Sequence, residues 1–234
     1  MSPSKSKLFS LFYKRSLTIL SLILVLLFNF ETAFSQNENK NESYEIVYQQ
    51  DFSEDTTDWN LEPDNYDWGS IEYSFKDEAY CWKMDLKEGR SNIVIPSNII
   101  PLPEEGYQIS VETRFDPACK GCDSGIMFNA QDPSNYYFVG LDVKGYVSIY
   151  ANQNNKWDEI VENIKSKNFD SSGMNKITVI NEGNNFQIQI NDSRLTIFKD
   201  NRFKGGIFGL VAEGPKKTKT TVCFDNLEVL KTKK

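Results

Sequence analysis

Histidine is missing altogether from this 234-residue chain. Without imidazole there is no Ser-His-Asp triad, no Cys-His nucleophile pair and no His-ligated metal centre. Cysteine is sparse at four residues, with a single C-x-x-C spacing and no second knuckle, which disfavours a zinc site. The longest apolar run, "LTILSLILVLLFNF", has about 14 residues, short of the roughly 20 that span a bilayer as a helix. Positive charge is also in deficit, with 26 Lys and Arg against 33 Asp and Glu and a net charge of −7. A phosphate-backbone partner favours the opposite balance, so no nucleic acid is expected.

What the N-terminal segment does have is the order of a secretory signal. "MSPSKSKLFSLFYKR" carries Lys5, Lys7, Lys14 and Arg15, the short apolar run follows, and "ETAFSQ" places Ala33 and Ser35 as the small residues of a cleavage site. Residues 1–35 are therefore expected to be a signal peptide cleaved after Ser35, leaving no membrane span. No Cys stands at the junction, which argues against a lipid anchor. Residues 36–43, "QNENKNES", read as a flexible lead-in, and residues 44–231 as one domain. Without the leader's four cations and Glu31, 22 basic and 32 acidic residues remain, a net charge of −10. Export to a periplasm or beyond the cell favours disulfides over free thiols. Of the three possible connectivities, Cys119–Cys122 across a small ring and Cys81–Cys223 between two predicted strands is the expected one.

From residue 44 onward, short apolar runs alternate with turns, giving about 14 candidate strands and no helix. In "SGIMFNAQDPSNYYFVGLDVKGYVSIY" (124–150), three runs rich in Ile, Val, Phe and Tyr are separated by "QDPSN" and "VKG". "NKITVINEGNNFQIQINDSRLTIF" repeats the pattern, with Ile188 and Ile190 alternating with Gln187 and Gln189, one face to a core and one to water. The expected fold class is all-β, a two-sheet antiparallel β-sandwich of jelly-roll type. The lysine run "GPKKTKT" (214–220) reads as a solvated hairpin loop.

"DFSEDTTDW", the two stretches just quoted, "GGIFGLVAEG" and the terminal "CFDNLEVL" occur in the order found in the concanavalin A-like (laminin G-like) jelly-roll domains of secreted bacterial proteins, which this chain resembles over roughly residues 51–230. The resemblance implies two antiparallel sheets, one of them concave. Its functions range over glycan binding, adhesion, accessory modules and glycosidases, so the fold alone does not choose among them. It also implies a structural Ca²⁺ tying the first and last strands together, with Asp51, Asp225 and Asn226 at the matching positions. A related group, the 3-keto-disaccharide hydrolase domains, shares the look of "SGIMF", but this chain departs from its longer polar pattern after that strand.

Laminarinase-type glycosidases of this fold use a Glu-x-Asp-x-x-Glu strand. The nearest approach here, "EPDNYD" (62–67), ends in Asp and carries Pro63, and reads as a turn. No catalytic residue is assigned. In "NYYFVGLDV", Tyr137, Val139, Leu141 and Val143 share one face and belong to the core. Tyr136, Phe138, Gly140 and Asp142 share the other. Rings beside a carboxylate are what a sugar site needs, apolar faces for a pyranose and acceptors for its hydroxyls. Tyr136, Phe138, Asp142 and Trp157 are the expected ligand-binding residues, with Trp59, Trp68 and Trp82 as further stacking candidates. The expected function is non-catalytic recognition of a polysaccharide or cell-surface glycan. The alternatives are a structural or adhesive module with a protein partner, and a glycoside-processing enzyme.

Overall fold

The computed structural model describes residues 44–54, 58–98, 100–116 and 119–233. The predicted signal peptide and lead-in lie outside the described residues. Those described contain fifteen strands and no helix. Their order begins with β1 (Tyr44–Gln50), β2 (Asp64–Tyr66), β3 (Gly69–Lys76), β4 (Ala79–Leu86), β5 (Arg90–Val94) and β6 (Tyr107–Phe115). The middle of the chain forms β7 (Asp123–Asp132), β8 (Asn135–Asp142), β9 (Tyr146–Gln153) and β10 (Lys156–Lys165). The remainder forms β11 (Asn175–Glu182), β12 (Asn185–Ile190), β13 (Ser193–Lys199), β14 (Ile207–Gly214) and β15 (Thr218–Thr232).

Fourteen of these match the runs read from the sequence. The fifteenth, β2, lies in the segment read as a turn: its Asp64 pairs with Ile71 and accepts a 2.6 Å hydrogen bond from the Tyr73 hydroxyl. Local turn residues missed it because its partner strand supplies the order.

Two antiparallel sheets form a sandwich. One has nine strands in the order β13-β12-β11-β6-β15-β4-β3-β2, with β1 also on β15. The other has six in the order β10-β9-β8-β7-β14-β5. Three hairpins close through two-residue turns in which both residues have positive φ: Asp77-Glu78, Asn154-Asn155 and Asn191-Asp192. Such turns match the strand twist, and Asn and Asp tolerate that region better than other non-glycine residues. The "GPKKTKT" run is no hairpin. β14 belongs to the six-stranded sheet and β15 to the nine-stranded one, so the lysines sit on a crossover between sheets. Its Lys216 and Lys217 are solvated as expected.

Period-2 alternation sets the core. Tyr137, Val139 and Leu141 of β8 are buried against Ile188, Ile190 and Ile109 from the facing sheet's cluster. Trp82, Tyr80 and Phe52 fill one end of the same core. A bulge in β7 at Asn129, with φ 50°, turns its amide inward. There it accepts from the Tyr107 hydroxyl at 2.6 Å and donates to the Phe203 carbonyl at 3.1 Å. Cys81 and Cys223 are directly paired on β4 and β15 and are bonded, and Cys119 is bonded to Cys122.

Candidate functional site

The outer face of the six-stranded sheet carries the most chemistry. Strand register writes it as four rows. The first runs Ser91, Glu213, Asp123, Asp142 across β5, β14, β7 and β8. The second runs Ile93, Val211, Gly125, Gly140, Ser148. Gly209, Met127, Phe138, Tyr150 and Glu159 make the third. Tyr136, Asn152 and Trp157 make the fourth.

All four predicted ligand-binding residues therefore lie on this one face, though in different states. Tyr136 and Phe138 are buried, at 5% and 3% exposure, within a small apolar cluster with Met127, Ala130 and Val211. Phe138 lies flat over Gly140, where a Cβ would sit 2.7 Å from the ring tip. These two rings are a floor rather than a stacking surface. Trp157 is half exposed and packs edge-on against Tyr136 at 5.7 Å and Tyr150 at 6.0 Å. Its strand, β10, is a sheet edge, held where Arg202 bonds Asp158 at 2.7 Å while also gripping Asp200. Asp142 accepts from the backbone N–H groups of Lys144 and Tyr146 at 2.8 and 2.7 Å through one oxygen, shaping the β8–β9 turn.

The tyrosines of residues 124–150 divide accordingly. Tyr137 is core, Tyr136 is floor, and Tyr146 is exposed. Among the other tryptophans, Trp59 and Trp82 are buried core residues and are not stacking candidates. The partly buried Trp68 stacks on Tyr66 at 4.5 Å, away from this face.

Two features of the face escaped sequence reasoning. The first is Asn152, 4% exposed between Tyr136 and Trp157, whose Oδ1 accepts no hydrogen bond among the described residues. The second is the row Glu213, Asp123, Asp142, three carboxylates on adjacent strands. Directly opposed side chains stand about 5 Å apart at Cβ. Burial, reinforced by Glu213 and then Asp142, pushes the Asp123 carboxyl up to about 7. Glu213 accepts from the Ser91 hydroxyl at 2.7 Å. No local signal marks this row, because its members are separated along the chain and meet only through pairing.

The residues expected to hold calcium also converge, at a bulge in β15. Asn226 has φ 48°, and here the edge of β15 passes from β4 to β1, which ends just before Asp51. Burial raises the Asp225 carboxyl, and Glu112, Asp51 and Glu78 add repulsion. The donor atoms are already engaged: Asp51 accepts from Ser53, and Asp225 from the Asn226 backbone at 2.6 Å. Asn226 Nδ2 reaches Glu112 at 3.1 Å. Among the described residues, no three His, Cys, Asp or Glu side chains are grouped to hold a metal ion.

No protein-family profile matches this sequence. No curated protein matches it. Solved structures do. A Bacillus subtilis protein of unknown function with a galectin-like fold superposes with a TM-score of 0.59 at 11% identity, covering 82% of this chain and 100% of that one. The catalytic domain of an endo-1,3-β-glucanase (laminarinase) from Thermotoga petrophila gives 0.57 at 11%, covering 82% and 100%. A GlcNAcα1-4Gal-releasing endo-β-galactosidase from Clostridium perfringens gives 0.60 at 11%, covering 83% of this chain and 64% of that one. The chain has the concanavalin A-like jelly-roll fold. No helix among the described residues is long and apolar enough to cross a membrane.

Proposed function

We propose that this is a secreted or periplasmic, non-catalytic carbohydrate-binding module that takes a polysaccharide or cell-surface glycan on the outer face of the six-stranded sheet. Trp157 carries the reading. Its indole is half exposed at the sheet edge, set beside a floor of buried rings. A pyranose would supply the apolar face that Trp157 covers. Two neighbours of the same fold are named as an endo-β-galactosidase and an endo-1,3-β-glucanase, which supports a sugar-related role. The two disulfides agree with an oxidising compartment.

The test is retention of the purified protein on a panel of soluble and insoluble polysaccharides. One polymer class is retained, and Trp157→Ala weakens that retention by about tenfold, equivalent to roughly 1.4 kcal/mol. The melting temperature changes little, because the ring is half in water. Retention on no polymer would move the function to a structural or adhesive module with a protein partner.

The carboxylate row favours one second reading, a glycoside-processing enzyme. A carboxyl held protonated near neutrality has the character of a general acid, and strand register sets Glu213 and Asp142 on either side of it as candidate second carboxylates. New reducing ends in the panel supernatants, absent with Asp123→Asn, would establish it.

Calcium at Asp51, Asp225 and Asn226 is proposed in addition, supported by the repulsion between Asp51 and Asp225 at the β15 bulge. The side chains of Asp51 and Asn226 would have to turn from their present partners to offer oxygens. Added Ca²⁺ is expected to raise the melting temperature above that in chelator. Superimposable melting curves would end the proposal.

A further inference from the structure

A cavity of about 750 Å³ opens away from the face just described. Its floor is the outer surface of β4, β15 and β6 around the Cys81–Cys223 bridge. Its walls are the Cys119–Cys122 loop, the β8–β9 turn and the β10–β11 connection. Five cationic side chains line it: Lys76, Lys83, Arg114, Lys120 and Lys144. In a chain of net charge −7 this is a local reversal of sign.

Three carboxylates, Asp77, Asp116 and Asp170, share the lining, so the cations outnumber them five to three. Asp170 accepts from the Ser172 backbone and hydroxyl at 2.8 and 2.7 Å, which holds its carboxyl low. Asp77 lies 3.9 Å from Lys76, and Asp116 is engaged as well. On the cationic side, Lys83 is paired with Glu72 at 2.9 Å. Among the described residues, no ion pair uses Arg114, Lys120 or Lys144. Three exposed cations thus share one concavity with two partly buried rings, Phe115 and Phe169. Phe169 is held in place, since its ring occupies the space where a Cβ on Gly145 would lie, 2.4 Å away.

Size, charge and rings specify a ligand class. The volume lies within the range of small-molecule sites. A guanidinium forks onto a carboxylate or sulfate, lysines add point charges, and a ring covers the apolar face of a pyranose. We infer that this cavity binds the anionic sugar unit of an acidic polysaccharide. Arg114, Lys120 and Lys144 hold its carboxylate or sulfate, and Phe115 or Phe169 lies against its ring.

The site is separate from the Trp157 face, so the two fail separately. Calorimetric titration of the purified protein would use polygalacturonate for carboxylate, chondroitin sulfate for sulfate, dextran as the neutral polymer, and sodium sulfate and acetate as free ions. One or both acidic polymers bind, and affinity falls as salt is raised from 50 to 500 mM. The doubly substituted Arg114→Ala/Lys144→Ala protein binds at least tenfold more weakly at an unchanged melting temperature, whereas Trp157→Ala leaves the acidic titration unchanged. Affinity equal in the double variant, binding of neither acidic polymer, or free sulfate binding as tightly as the polymer would each overturn the inference.

Discussion

Replacing Cys81 and Cys223 together with alanine is expected to lower the unfolding free energy by about 5 kcal/mol. The bond joins residues 142 apart, and in the chain-entropy account a loop of that length restricts the unfolded state by roughly 5 kcal/mol. The same account assigns only about 2 kcal/mol to the small ring closed by Cys119 and Cys122. Urea unfolding of the two double variants under non-oxidising conditions checks the ratio. Equal costs would mean that local packing of the sulfur atoms, rather than loop closure, sets the contribution. Since β4 and β15 already pair through seven residues, the native sheet is expected to survive in the weaker protein.

The Asp123→Asn protein is expected to match the unsubstituted one near pH 4 and to exceed it by about 2–4 kcal/mol above pH 7. The carboxyl titrates at about 7 in the folded protein against an ordinary 3.8. From pH 4 to 7 the folded form therefore retains a proton that the unfolded form has released. Its stabilising effect is complete below the unfolded value and is lost as pH rises through the folded one. About three pKa units correspond to roughly 4 kcal/mol, reduced here because the side chain is partly open to water. The amide removes the dependence, together with the repulsion from Glu213 and Asp142. Denaturant curves of both proteins at four pH values give the difference directly. A difference that stays constant with pH would mean that Asp123 ionises like a surface carboxylate, and the general-acid reading would lose its acid.

Much of the fold was legible because strand signals are local. Fourteen runs with turn residues between them became strands, and alternation alone placed Tyr137, Val139 and Leu141 in the core, whereas Val143, past the end of β8, lines the outer cavity instead. Bulges were not legible. Asn129, Asn163 and Asn226 each take positive φ within strands, and each shifts the face to which later residues point. Aromatic roles were only half legible: Trp82 and Trp157 look alike in sequence, yet one is fully buried and the other half exposed. β10 is a sheet edge and β4 an interior strand, a distinction made by pairing partners far along the chain.

By itself, then, the sequence determined fourteen of the strands, the alternation that divides core from surface, the exclusion of histidine chemistry and the set of cysteines available to pair. Those properties depend on neighbours two to four residues away. Tertiary structure alone decided which strands lie side by side. That choice set Glu213, Asp123 and Asp142 in one row, placed Asn152 beside Trp157, and gathered Arg114, Lys120 and Lys144 around one cavity. Each grouping draws on strands or loops remote in sequence, and antiparallel register, which joins them, is fixed by the burial of whole sheets against each other rather than by any local run of residues.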